Sequence, residues 1–233
     1  MAGSCDFLIS IRTVPTVWNN LETLRFHGVK RLPTAKMFTN VWDLLLSLRS
    51  VRWYLRIFDY TLENRGYEIQ HVTEVMTLHL SDARLDAPYS AVTITDEIPD
   101  IWITSLFDLK GMTNPIHRAV VPSMYRAIPK ETICASIWKE GKIIATGLGI
   151  LDRDYIGIYA IHVKEKYRGQ GFARQICTAL LTEGMKKGAE NAYLQVVQGN
   201  TAAKRLYASL GFTDFYTYWF RVQPEAVTQK GVS

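Results

Sequence analysis

The chain has 233 residues, of which 48% are hydrophobic and 21% charged, so it is a globular protein that can fill one large core or two smaller ones. Its formal net charge of +5 favours an anionic partner, such as nucleic acid, a membrane surface or a phosphate-bearing cofactor, although the scattered basic residues weigh against a nucleic-acid-binding arm. The three cysteines form no C-x-x-C pair and have no histidine at metal-ligand spacing, which argues against a disulfide framework and against a metal site.

The first predicted element is one long helix over residues 41–65, whose apolar residues recur alternately every three and four positions. A coiled-coil seam is the alternative, but such a seam should persist for longer. The stretch 41–58 contains Asp43 and three arginines, which a bilayer span would not tolerate, and the N-terminus lacks the cationic and apolar parts of a signal peptide. We therefore expect no membrane contact and a cytoplasmic location.

A strand, a linker and two helices are predicted next. Residues 67–80 alternate between apolar and polar side chains, as a strand or two would. Residues 81–97 are polar, include a proline and show no helical period, which indicates a linker. One helix is predicted within 99–110 and a second over 114–127, where an Asn-Pro pair is a typical helix start.

The remaining chain predicts a mixed α/β (α+β) unit. Three strands joined by tight turns form an antiparallel meander, and a helix, a strand, a short helix and a last strand follow. The strands are predicted at 132–138, 142–151, 155–163, 193–197 and 215–222, and the helices at 172–187 and 201–210. We expect a mixed, mostly antiparallel central sheet with helices on both faces.

Two glycines, Gly169 and Gly171, directly precede the helix predicted from residue 172. A helix N-terminus offers free backbone N–H groups to anionic oxygen, and glycine lets a phosphate approach them. The alternative is that the glycines only turn the chain, and a G-x-G alone does not decide between the two. The segment is no P-loop, and Gln198 stands where a dinucleotide-binding fingerprint needs an acidic residue.

Two motifs taken together resemble those of the GNAT superfamily of acetyl-CoA-dependent N-acetyltransferases, of the bacterial type with an N-terminal extension. The first is [QR]-x-x-G-x-[GA], matched by Arg168, Gly171 and Ala173. The second is N-x-x-A-x-x-L-Y-x-x-x-G-F, which is matched by Asn200, Ala203, Leu206, Tyr207, Gly211 and Phe212. The resemblance covers about residues 95–222 and implies a GNAT-like fold.

The resemblance implies acetyl-CoA (coenzyme A) as the cofactor. Its pyrophosphate would lie on the backbone of the glycine loop, and its pantetheine arm along the end of the preceding strand, at the gap where that strand splays from the strand at 193–197. The implied cofactor-binding residues are Ile161, His162, Val163, Arg168, Gly169, Gln170, Gly171, Phe172, Ala173, Asn200 and Ala203. For Asn200, a role as helix cap is an equal alternative.

The same resemblance implies that Tyr207 is the general acid that protonates the departing thiolate, with simple ring packing as the alternative. No general base is evident, because the position where some relatives carry a glutamate falls at or near Gly157. We therefore expect a water relay, with His162 and Tyr159 as lesser candidates for the base.

Aromatic residues of the first two helices and the C-terminal strands are the implied walls of the acceptor pocket. The candidates are Trp102, Tyr125, Tyr159 and Tyr218. Aromatic walls suit an amine with an apolar portion, or a cation stacked on a ring. We expect a small-molecule or peptide amine as the substrate, no nucleic acid and no metal, and leave open whether the protein is a homodimer.

We divide the chain into an N-terminal extension (1–82), a linker (83–97), a GNAT domain (98–223) and a tail (224–233). The outline of residues 59–80, a helix ending in Gly-aromatic before a strand, resembles that of 204–222, so the extension could be a degenerate acetyltransferase-like half. Such a half could not bind the cofactor in the same way, because residues 1–58 lack the phosphate-loop motif.

Two alternatives to an enzyme remain open. One is a coenzyme A-binding regulatory or interaction module that has lost catalysis, against which the retained Tyr207 argues. The other is nucleic-acid binding driven by the net charge, which would show a steep salt dependence. The sequence leaves the acceptor amine and the acyl chain length undetermined.

Overall fold

The computed structural model describes residues 56–86 and 88–224. By its contacts the chain divides into two units, Met1–Thr61 and Leu62–Ser233, and the sheet and site below belong to the second. Residues 56–64 are helical and are called α1; the remainder of the helix predicted over 41–65 lies largely outside the described residues.

The other elements follow in the predicted order, with one additional strand inside the segment predicted as a linker. They are β1 (Glu68–His79), β2 (Val92–Thr95), α2 (Asp100–Lys110), α3 (Pro115–Arg126), β3 (Thr132–Lys139), β4 (Lys142–Asp152), β5 (Tyr155–Val163), α4 (Phe172–Lys186), β6 (Asn191–Val197), α5 (Thr201–Ser209) and β7 (Thr213–Val222). Short 3-10 turns at 80–82 and 165–167 complete the list. No helix in the described ranges is long and apolar enough to cross a bilayer.

The seven strands form one sheet in the order β2-β3-β4-β5-β6-β1-β7. The β5–β6 pair is parallel, and the other neighbours are antiparallel. The prediction of a mixed, mostly antiparallel sheet flanked by helices is therefore confirmed.

The structure places β1 inside this sheet, second from one edge, between β6 and β7. The sequence places these residues in an N-terminal extension, because an alternating pattern predicts a strand but not its partners. For the same reason β2, which pairs with β3, lies inside the predicted linker. That residues 1–82 form a degenerate acetyltransferase-like half stays a prediction, since residues 1–55 lie outside the described part.

The helices begin and end where local chemistry dictates. Gly111 ends α2 in the left-handed region with φ 66°. The Asn114 side chain accepts the backbone N–H of Ile116 at 2.9 Å, and Pro115 occupies the first turn of α3. These contacts confirm the Asn-Pro start that the sequence predicted.

Each face of the sheet has its own buried layer. Ile156 and Ile158 of β5 belong to one cluster with Ile176 of α4, so these strand residues face α4. On the other side, Trp102 (1% exposed) and Leu106 (0%) of α2 are buried where α2 contacts β4 and β5. Because strand side chains alternate between faces, the residues between Ile156 and Ile158 and directly after Ile158 point away from α4.

Candidate active site

The loop before α4 is built on two glycines in left-handed conformations. Gly169 has φ 75° and Gly171, the N-cap of α4, has φ 81°. Other L-residues are strained there, so the turn alone requires glycine. The Gln175 N–H donates to the Gly171 carbonyl at 3.1 Å, and the N–H groups of the turn before it have no partner within the helix. No atom lies within 4 Å of a Cβ built on either glycine, so the loop is also open to a ligand.

A cleft of about 640 Å³ lies beside this loop, walled by the end of β5, the first turn of α4 and α5. It brings together most of the predicted cofactor residues and the predicted acid. They are Ile161, His162, Val163, Arg168, Gly169, Gly171, Phe172, Ala173, Asn200, Ala203 and Tyr207. Gln170 is the exception, because its side-chain amide instead donates to the Lys166 carbonyl at 3.3 Å.

Four further residues line the cleft without having been predicted as site residues, namely Tyr167, Arg174, Ala202 and Leu206. Arg174 lies in the first turn of α4 and donates to Ser209 Oγ at 2.7 Å. It also pairs with Asp86, and this contact lowers the pKa of that carboxyl below its usual value. A cation in a first turn opposes the helix dipole, and that unusual placement was the available signal.

Helix α5 brings Tyr207 into the cleft. Asn200 caps the helix, its side-chain oxygen accepting the Ala203 N–H at 3.2 Å. Lys204 pairs with Glu74 of β1 at 2.5 Å and with Asp214 of β7 at 3.1 Å, which ties the helix to both strands.

The Tyr207 side chain is buried, with 8% of the residue exposed, and its ring centre lies 6.1 Å from that of Phe212. Burial raises the pKa of its phenol, with a smaller contribution from Cys177. The hydroxyl therefore carries its proton at neutral pH, as a general acid must.

Strands β5 and β6 separate at the edge of the cleft. Their parallel pairing extends from Tyr155–Asn191 to Ile158–Leu194 and ends there. Just beyond, Ala160 has φ 51° and the β4–β5 register shifts between Thr146 and Leu148, which is the signature of a β-bulge. No ladder pair joins the rest of β5 to β6, and we call this unpaired interval beyond Ile158 and Leu194 the β5–β6 gap.

A family model described as the acetyltransferase (GNAT) family matches residues 100–212. This part of the chain belongs to the GNAT family of acetyltransferases. The match includes the glycine loop, α4 and α5, but it begins after β1 and β2 and ends before β7, so three of the seven strands of the sheet lie outside it.

Two curated N-acetyltransferases resemble part of this chain. An uncharacterized N-acetyltransferase of Bacillus subtilis, YobR, is 28% identical over 127 residues, which is 54% of this chain and 51% of that protein. The ribosomal protein bS18-alanine N-acetyltransferase of Haemophilus ducreyi is 31% identical over 74 residues, 32% of this chain and 51% of that protein. The chain thus spans about half the length of these curated relatives.

Solved structures support the GNAT fold. The crystal structure of a GCN5-related N-acetyltransferase from Sphaerobacter thermophilus superposes with a TM-score of 0.52 at 20% identity, covering 71% of this chain and 56% of that one.

In the GNAT domain, His162 is a weak candidate for the general base. Burial lowers its pKa to about 4, and the charges of Lys110 and Arg168 act in the same direction. A neutral imidazole with so low a pKa takes up protons poorly at neutral pH. His162 lines the cleft, so its predicted contact with the cofactor stays open as a prediction.

The four predicted acceptor-pocket residues fall into two pairs. Trp102 and Tyr125 pack edge to face with ring centres 5.9 Å apart, and the Trp102 indole donates to the Ala135 carbonyl at 2.9 Å. None of the four residues lines the 640 Å³ cleft, and Trp102 (1% exposed) and Tyr125 (7%) are buried, which leaves little surface for an acceptor. Tyr159 lies at the gap between β5 and β6, and the Tyr218 hydroxyl donates to Gln195 of β6 at 3.0 Å. An acceptor pocket therefore has better support at Tyr159 and Tyr218, although its residues stay a prediction.

Proposed function

We propose that the protein transfers an acetyl group from acetyl-CoA to a primary amine, in a ternary complex of both substrates. The observation that carries this proposal is the cleft itself. One wall presents unpaired N–H groups and the other presents the protonated phenol of Tyr207, while the β5–β6 gap opens at its edge.

The residues present fit coenzyme A. The open glycine loop and the helix N-terminus suit a pyrophosphate, and Arg168 and Arg174 on the cleft wall add positive charge. The end of β5 beyond the bulge would hydrogen-bond an extended chain such as pantetheine. Bound acetyl-CoA would supply a thioester, whose carbonyl carbon gains a bond to the amine nitrogen as its C–S bond breaks.

The chain's own residues supply positioning and one proton. Tyr207 Oη donates its proton to the departing sulfur and regains one from solvent. Once the amine nitrogen has bonded to the carbonyl carbon, it carries an extra proton, which it loses to water. His162 lines the cleft and could accept this proton, but its pKa of about 4 makes it a poor base. Proximity in the cleft supplies the remaining acceleration, which reaches about 7–11 kcal/mol in favourable systems.

Thiol release from acetyl-CoA tests the proposal directly. The acceptors should include small amines, amino acids, aminoglycosides and a peptide with an N-terminal alanine, because one relative acts on the alanine of a ribosomal protein. Calorimetry with coenzyme A should accompany the assay. We expect binding together with turnover of at least one amine.

The variant Tyr207→Phe separates the two rival functions. In an enzyme it slows turnover and leaves coenzyme A affinity nearly unchanged. Binding without turnover in the unmodified protein would instead support a coenzyme A-binding module. Absence of any binding would refute both.

A further inference from the structure

Two tyrosines fill the space beside Gly157. A Cβ at this position would lie 2.6 Å from Tyr159 Cε2, 2.8 Å from Tyr159 Oη and 2.8 Å from Tyr193 Cζ, distances too short for any real contact. Tyr193 is the partner of Gly157 across the parallel β5–β6 pair, and Tyr159 follows two residues later on the same face of β5. No side chain can stand at position 157 unless these rings move.

The two tyrosines are joined through their hydroxyls. Tyr159 Oη lies 2.5 Å from Tyr193 Oη, and the rings are perpendicular with centres 6.1 Å apart. Tyr193 is 8% exposed, so this contact is mostly shielded from water. Burial raises the pKa of both phenols, and the charge of Asp152 acts in the same direction. Both hydroxyls therefore stay neutral, and they can donate and accept hydrogen bonds without acting as an ionised base.

The pair lies where an acceptor would enter. The last β5–β6 pair is Ile158–Leu194, so Tyr159 is the first β5 residue beyond it, at the start of the gap. Gln195 follows Tyr193 on the same face of β6, and it accepts the hydroxyl proton of Tyr218. The phenols of Tyr159 and Tyr193 and the amide of Gln195 thus lie next to one another beside the gap, on the face of the sheet opposite α4.

The shared hydrogen bond uses one of the two phenol protons. It leaves oxygen lone pairs at Tyr159 that can accept an N–H from a neutral amine, while the surrounding tyrosine rings suit an apolar group on that amine. Tyr193, being buried, fixes the orientation of the Tyr159 hydroxyl.

We propose that Tyr159 receives the acceptor amine at the β5–β6 gap, that Tyr193 is the positioning residue that orients it, and that the acceptor is a primary amine carrying an apolar group. This inference rests on the proposed acetyl transfer. A carboxylate side chain has no room at position 157, and the neutral hydroxyl pair occupies the space beside Gly157 instead.

Steady-state kinetics on Tyr159→Phe and Tyr193→Phe test this assignment, with 2-phenylethylamine and an N-terminal-alanine hexapeptide as the acceptor probes. We expect each variant to raise the KM for the amine by about 3- to 10-fold, the effect of one hydrogen bond. The KM for acetyl-CoA should change less than about 2-fold, because these side chains do not line the cofactor cleft. In the double variant the effects should not add, since Tyr193 acts through Tyr159.

Tyr155→Phe is the matched control. Its ring also lies near that of Tyr193, with centres 6.4 Å apart, but it is not part of the hydroxyl pair, so the amine KM should not change. Equal effects on both KM values, additive effects in the double variant, or acetylation of neither probe by a protein that binds coenzyme A would overturn the inference. Absence of coenzyme A binding by calorimetry would instead refute the proposed function.

Discussion

Truncation of one side chain in β1 should destabilise the whole sheet, even though β1 lies outside the family match. Met76 is 1% exposed, and its strand pairs with β6 on one side and β7 on the other. Met76→Ala removes a fully buried side chain and leaves a cavity, which typically costs about 2–5 kcal/mol. Natural domains have about 5–15 kcal/mol of unfolding free energy, so the loss should be a large part of the total.

Urea unfolding of the full-length chain, followed by far-ultraviolet circular dichroism and by tryptophan fluorescence, measures the effect. Ile69→Ala is the control, because Ile69 belongs to the same strand but is 47% exposed, and its truncation should cost well under about 1 kcal/mol. We expect a lower midpoint for Met76→Ala with both probes. If Met76→Ala unfolds at the same urea concentration as Ile69→Ala, the placement of β1 inside the sheet is wrong.

Three further changes test the loop, α5 and His162. Gly171→Ala meets no atom within 4 Å but forces a left-handed conformation, so it should cost about 1–2 kcal/mol in thermal unfolding and weaken coenzyme A binding by calorimetry. Lys204→Met removes the contacts with Glu74 and Asp214, so it should lower the melting temperature slightly, and less at high salt. Because the pKa of His162 is depressed in the folded protein, the unfolded chain binds more protons between about pH 6.5 and 4, and the free energy of unfolding should fall as the pH falls through that window. In urea titrations at several pH values, the His162→Gln variant should lack this part of the pH dependence. If its pH profile equals that of the unmodified protein, the imidazole is not buried.

Local chemistry made most elements predictable from the sequence. The glycine loop, the Asn114 and Asn200 caps, and the turns between β3, β4 and β5 depend on residues a few positions apart, so their patterns are visible in the chain itself. The cleft was predictable because one motif starts α4 and the other lies in α5, and both helices wall the cleft at the end of β5. Both motifs predicted residues that the structure brings together.

What escaped prediction depends on long-range register. The alternation in β1 indicates a strand, but its pairing with β6 and β7 joins residues more than a hundred positions apart. The tyrosine pair escaped for the same reason, because only the β5–β6 register shows that Tyr193 lies beside Gly157. The glycine at position 157 shows in the sequence that a carboxylate is absent there, but the side chains that fill its place are visible only in the structure.

The position of the proposed acid depends on a strand that the family match does not include. Tyr207 lies one turn after Lys204, which pairs with Glu74 of β1 and Asp214 of β7. The orientation of α5 is therefore tied to β1 and β7, which pair with each other, and β1 is held in the sheet by its pairing with β6 as well. A change that displaces β1 should consequently move the Tyr207 phenol as well as weaken the sheet, so Met76→Ala should reduce turnover by more than its unfolded fraction explains.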